Sequence, residues 1–315
     1  TYRTVLLGLG ISGLTSFAYE IYWTRSLVFI MGNSTYALTT MLSSFLTGIA
    51  LGGYLVRFAL RRIRDRVAVF GWIQVFLGVF STLALPLLFS IADPQVIGQY
   101  FTRSSNQAVL LVLSGFGLAF LVMLVPATLI GATLPLVGQI AVRDQQRTGA
   151  VVGRTYAINT CGNVLGALLP GFVLLHWLGI QTGIVAMATL HICLGLLILT
   201  MRLTRPAYRR GWRLVLPLVL IGSALVLSRA PVGFQFPSDG ERDYFETLYY
   251  RDGPSATTRV YLDPRSGEKH MSVDGIVIGG TGFAEFKQHL LAHLPKLLLK
   301  DTSTELSVGL GSGIL

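Results

Sequence analysis

Apolar residues gather in seven long blocks along most of the chain and then give way to short alternation. The blocks cover roughly 4–30, 35–56, 67–92, 108–142, 155–177, 180–201 and 213–228. A helix needs about 20 mostly apolar residues to cross a hydrocarbon core of ~30 Å. The pattern therefore predicts a transmembrane helix bundle of about seven spans over residues 1–230. The block 108–142 is too long for one straight span, and Pro126 and Pro135 interrupt it. It reads as one kinked helix, or as a span plus a re-entrant piece. The last block has 15 residues between Arg213 and Arg229. That is about 22 Å of helix, short for a crossing, yet snorkelling flanks would let it cross.

From about residue 231 the texture changes. Phe245 to Ile278 alternates apolar and polar positions, broken at Asp252-Gly253-Pro254, at Asp263 to Gly267, and at Asp274-Gly275. These breaks predict a small antiparallel region of hairpins. Ala284 to Leu299 reads as an amphipathic helix. Leu306 to Leu310 reads as a buried strand running into the glycine turn Gly309, Gly311, Gly313. The fold class expected is thus mainly α. A polytopic helix bundle (1–230) would precede a second domain (231–315), a small antiparallel β region followed by the first strand of a truncated α/β, Rossmann-like domain.

Composition sharpens this. The hydrophobic share is 52%, the charged share 13% and the mean hydropathy +0.62, which excludes a single soluble domain and a disordered chain. Charge is split unevenly. Residues 1–230 hold 17 Arg, no Lys and four acids, a balance of +13; the remainder holds eight basic residues against 11 acids, a balance of −3. The arginines flank apolar blocks, so the net charge of +10 implies no nucleic-acid partner. They also alternate by connection. Segments 57–66, 143–154 and 202–213 are Arg-rich, while 31–34 and 178–181 have none and 93–107 has only Arg103. The positive-inside rule places the rich segments and the N-terminus in the cytoplasm. Seven crossings would then leave 231–315 extracytoplasmic. The lipid bilayer is the expected partner and a bacterial inner membrane the expected location. Thr1 is not a Met, so the sequence is expected to begin inside a longer chain; the first block is too long and too polar at its centre for a cleaved signal peptide.

Several motifs bear on chemistry. Gly8-x-Gly10-x-x-Gly13 has the dinucleotide spacing but lies inside an apolar block, where close helix packing explains it. Gly48-x-x-x-Gly52 with Gly53, and Gly162-x-x-x-Gly166, read the same way and could also meet other membrane subunits. Glu20 and Arg25 are ionisable groups within a span, expected to be paired in the bundle or to anchor it polarly, with Tyr19, Tyr22 and Trp23 as an interfacial aromatic belt. Asn159, Asn163 and His176 are further intramembrane polar groups, read as interhelical hydrogen-bonders. Cys161 and Cys193 form neither a disulfide framework nor a metal-ligand set. Gly309, Gly311 and Gly313 after an apolar strand suit the close approach of a nucleoside, as in S-adenosyl sites.

Taken in order, Tyr19 to Arg25, Gly48 to Gly53, Gly131 to Pro135, Asn159 to Phe172, Val273 to Gly275, Leu290 to Pro295 and Val308 to Gly313 resemble the membrane-fused spermidine synthase-like proteins. The resemblance implies a membrane-anchored member of the aminopropyltransferase family, using decarboxylated S-adenosylmethionine and an amine. Soluble members carry Tyr-His-Glu where this chain has Lys287, Gln288 and His289, and an acid near where it has Phe283. Catalytic residues are not assigned, and the chain as given is expected to be inactive. A non-catalytic membrane scaffold or accessory subunit is the alternative, and a small-solute transporter the third reading.

Overall fold

The computed structural model describes residues 2–31, 35–91, 107–142, 148–202, 222, 245–253 and 255–298. It divides into two units, Thr1–Val232 and Gly233–Leu315. The expected seventh block, 213–228, apart from residue 222, the strand 306–310 and the glycines Gly309, Gly311 and Gly313 lie outside the described residues.

The first unit is helical: α1 (Tyr2–Met31), α2 (Thr35–Ala59), α3 (Arg66–Ile91), α4 (Gln107–Ala141), α5 (Thr148–Leu169) and α6 (Leu175–Arg202), with a π-helical turn, Pro170–Leu174, joining the last two. Among the described residues, five stretches are long and apolar enough to cross a membrane: Arg3–Val28, Leu38–Ala59, Arg66–Ala84, Ala119–Ala141 and the 54-residue Thr148–Met201. α4 is a single helix through both prolines, so of the two readings of 108–142 the structure adopts one continuous helix. The π turn has a local cause. Pro170 has no N–H to donate to the preceding turn, and the Leu175 N–H bonds back to the Pro170 carbonyl, one residue wider than an α turn.

The 54-residue stretch reverses direction at Gly179, whose φ of 72° and ψ of −177° no helix contains. Contacts of α1 show the reversal. Gly10, Gly13 and Leu14 meet Ile158, Asn163 and Gly166, in the same direction, whereas Gly8 meets Leu194 and Tyr22 meets Gly183, in the opposite one. A β-carbon at position 179 would sit in the left-handed region, so glycine permits a one-residue hairpin of helices.

The other pairings follow the same logic. α3 runs with α1 (Phe70 at Gly8) and against α6 (Gly78 at Ala188 and Ile192), and α2 runs with α4 (Gly48 at Ala127, Gly52 at Thr128 and Ala132). The six helical limbs therefore alternate in direction. The start of α1, end of α2, start of α3, end of α4, start of α5 and end of α6 share one end of the unit. Arg66 Nη1 bonds the Gln139 carbonyl at 3.5 Å there, and the Asp65 carboxylate caps α3 through the Ala68 N–H at 3.0 Å. That end carries Arg3, Arg57, Arg61, Arg62, Arg64, Arg66, Arg154 and Arg202. A core of Val5, Leu6, Leu9, Val56, Phe70, Leu136, Val137, Leu194 and Ile198 closes beneath it.

The outer surface of this unit is apolar, unlike that of a water-soluble bundle, and polar residues are buried beside its hydrophobic core. Leu7, Leu83, Leu121, Phe172 and Trp177 are exposed, while Ser12, Thr15, Thr40, Ser44, Gln74, Ser81 and His191 are buried. The aromatic belt expected at Tyr19, Tyr22 and Trp23 is corrected: all three are fully buried. Positions 19, 22, 23 and 26 share one helical face, and that face of α1 turns toward α6, with Ser81 of α3 beside Tyr19.

The second unit contains a meander of four antiparallel strands, β1 (Glu246–Asp252), β2 (Thr257–Leu262), β3 (Lys269–Val273) and β4 (Ile276–Gly280), then α7 (Phe283–Leu298). Every expected turn lies at a hairpin. The tightest is Asp274-Gly275, with φ of 50° and 83°, the pair of positive angles that a twisted two-residue hairpin requires. Gln288 Nε2 donates to the Ile278 carbonyl at 2.9 Å and ties α7 to β4. Phe283, Phe286, Leu291, Leu297 and Leu298 are exposed.

Candidate functional site

On α1, Ser12, Thr15, Tyr19, Tyr22 and Ser26 recur at three- and four-residue steps and are all essentially inaccessible. Two of them satisfy themselves. Thr15 Oγ1 donates to the Ile11 and Ser12 carbonyls and Ser26 Oγ to the Tyr22 carbonyl. The others look outward from α1. The Tyr19 ring lies parallel to the His191 ring, centroids 5.8 Å apart and planes within 6°. His191 Nδ1 is 2.6 Å from Gln74 Oε1, and Ser81 stands beside the Tyr19 hydroxyl without closing a well-formed hydrogen bond. Tyr22 packs over Gly183, where any side chain would collide with it. Thus α1, α3 and α6 bring Tyr19, Gln74, Ser81 and His191, each 0% exposed, into one polar cluster.

With the Gln74 amide oxygen facing it, as here, His191 Nδ1 carries the proton and Nε2 presents a lone pair; the opposite amide orientation would exchange the two roles. Six buried side-chain atoms along this interface have no hydrogen-bond partner among the described residues: Ser12 Oγ, Tyr19 Oη, Tyr22 Oη, Gln74 Nε2, Ser81 Oγ and His191 Nε2. Leaving one buried group unsatisfied costs about 1–3 kcal/mol, so six of them in one interface mark a place where packing is not the only determinant.

The residues singled out from sequence fall elsewhere. Asn159 and Asn163 face α1 from α5. With its amide nitrogen turned toward them, Asn163 donates to the Asn159 carbonyl at 3.1 Å and across the helices to the Gly13 carbonyl at 3.2 Å. Glu20 and Arg25 are half-buried. Their five-residue offset sets them about 140° apart around α1, so they project from different faces. His176 and Cys161 are exposed, and Cys193 is partly buried. Among the described residues no group of three or more His, Cys, Asp or Glu could hold a metal ion. Sequence reasoning missed Gln74 and His191 entirely. Each is a lone polar residue in an apolar run, and the two are separated by 117 positions.

The second unit has its own buried polar network. Asp252 Oδ1 accepts from Tyr250 Oη at 2.9 Å and from Thr257 Oγ1 at 2.7 Å. Asp274 Oδ1 accepts from the Thr257 N–H at 2.8 Å. Arg259 is only 5% exposed. It donates through Nε and Nη2 to Thr247 Oγ1 at 3.2 and 2.8 Å and lies 4.8 Å over the Tyr261 ring. Desolvation pulls its pKa below the ordinary guanidinium range, against the charges of Tyr261 and Tyr250. These carboxylates are engaged in fixing hairpins. On α7, Gln288 is engaged with β4, and His289 Nε2 lies 3.7 Å from Glu285 and stacks on His293.

The chain is similar to polyamine aminopropyltransferase 2 of Streptomyces coelicolor, at 26% identity over 251 residues, which is 79% of this chain and 42% of the relative. The chain thus spans less than half the length of that relative. The match supports a spermidine synthase-like relationship. No protein-family model matches, and no solved structure matches.

Proposed function

We propose that this chain is the membrane-embedded bundle and the adjoining β region of a spermidine synthase-like protein anchored in a bacterial inner membrane. The observation that carries this is the extent of the match. The second unit has 83 residues, so roughly two-thirds of the 251 matched positions fall in the helical unit, and the kinship reaches the bundle as well as the β region. The apolar outer surface of the helices supports a bilayer around them. The collection of arginines at one end supports a cytoplasmic location for that end, with the N-terminus. On this reading, residues 213–228 set the side of the second unit: crossing places it outside the cytoplasm.

Aminopropyl transfer needs an amine nitrogen to displace the thioether from the carbon next to the sulfonium of decarboxylated S-adenosylmethionine. Carboxylates and aromatic walls would hold the cationic partners. In the described part of the second unit Asp252 and Asp274 are committed to hairpins, and positions 287–289 offer Lys, Gln and His. The nucleoside-binding role of Gly309, Gly311 and Gly313 belongs to the longer protein. Calorimetry with decarboxylated S-adenosylmethionine tests this: the 315-residue form should show no saturable micromolar binding, and the longer protein should bind. Binding by the short form would make its glycine turn a complete site; failure of both would favour the scaffold reading, which the engagement of Gln288 with β4 also favours.

A further inference from the structure

The polar cluster between α1, α3 and α6 is used by none of the chemistry above. We propose that it is a binding site for a small neutral hydrogen-bonding molecule, and that water occupies it. Three observations lead there. First, the cluster is built from three helices that come from distant parts of the chain, and Tyr19, Gln74, Ser81 and His191 are all completely withdrawn from solvent. Second, its unused valences are complementary in kind. Gln74 Nε2 offers donors, His191 Nε2 offers an acceptor, and the Tyr19 and Ser81 hydroxyls can serve as either. A water molecule makes about three hydrogen bonds to such groups and is the usual occupant of polar interiors. Third, the unsatisfied atoms form a file. Ser12, Tyr19 and Tyr22 present theirs over ten residues of α1, about 15 Å of helix, with Ser81 and Gln74 facing from α3.

The same inventory decides against ions. The cluster presents neither a carboxylate for a polyammonium ion nor a Lys or Arg for an anion. Glu20, the one acid of α1, follows Tyr19 by a single residue and so projects about 100° away. If the longer protein handles polyamines, they are not held here.

X-ray hydroxyl-radical footprinting of the full chain in lipid nanodiscs, with oxygen-18 water as the probe, tests this directly. Radicals generated from bound water mark its neighbours even when they are buried. Corrected for intrinsic reactivity, Tyr19 and His191 should incorporate label about tenfold faster than Met41 and Met123, which are equally buried without such a cluster. Labelling of Tyr19 and His191 no faster than those methionines would overturn the proposal. Tyr19→Phe keeps the ring that stacks on His191 and removes one oxygen. In protein with an unchanged helical signal, it should cut labelling of His191 several-fold; an undiminished rate would likewise overturn it.

Discussion

Single residues in this protein are governed by what they can bond to once water is gone. Glu20 lies half-buried on α1, and Glu20→Ala should lower the unfolding free energy by about 1–3 kcal/mol, the range for disturbing a buried polar group. Thermal unfolding in detergent reads this out, and an unchanged midpoint would place Glu20 in water or among headgroups. In the second unit, Arg259→Lys keeps the charge but loses the paired donation to Thr247 and the flat stacking on Tyr261. It should cost about 1–2 kcal/mol and speed amide exchange in β1 and β2; exchange rates identical to those of the parent chain would show that the fork is dispensable. Legibility at this scale is poor for a physical reason. Tyr19, Gln74 and His191 meet only through tertiary packing, and nothing in the local pattern around a lone polar residue in an apolar run names its partner. For the same reason the pattern points to an interfacial belt at Tyr19, Tyr22 and Trp23 where the structure buries them, since periodicity shows that they share a face but not what the face meets.

Elements, by contrast, announce themselves. Hydropathy marks α1 to α6 because long apolar runs must be shielded from water, and Asp274-Gly275 marks its hairpin because such residues accept two successive positive φ angles. The spaced glycines forecast close packing, and the structure shows against what: α2 on α4, and α5 on α1. A β-carbon on Gly52 would overlap the Thr128 carbonyl oxygen, which is backbone and cannot swing aside. Gly52→Val should therefore separate α2 from α4 and destabilise the helical unit by about 1–3 kcal/mol. The check is differential scanning fluorimetry beside Gly53→Val, whose position is open apart from one distant carbonyl and should be tolerated. Equal effects of the two substitutions would refute the assigned pairing.

At the scale of the whole molecule the decisive property is alternation. Six helical limbs that reverse in turn gather eight arginines at one end, and the order of Arg-rich and Arg-poor connections in the sequence carries the same message. In a chain with Cys161 and Cys193 replaced by Ser, single cysteines at Arg61→Cys and Arg209→Cys should resist an impermeant thiol reagent added to intact cells and react after permeabilisation. Ready labelling from outside at either position would invert the orientation.

The distance in sequence between α1 and its partners has a kinetic consequence. Tyr19 meets His191, roughly 170 residues later, and at a synthesis rate of about 5–20 residues per second that interval lasts about 10–30 s. Throughout it, the serines and tyrosines of α1 are already made while the hairpin of α5 and α6 that covers them is not. If the helices enter a bilayer as proposed, nascent α1 would wait in a polar shelter beside the insertion machinery or at the headgroup layer, and its polar face would be covered only when the limbs of α5 and α6 follow, as a pair, after the turn at Gly179 has been made.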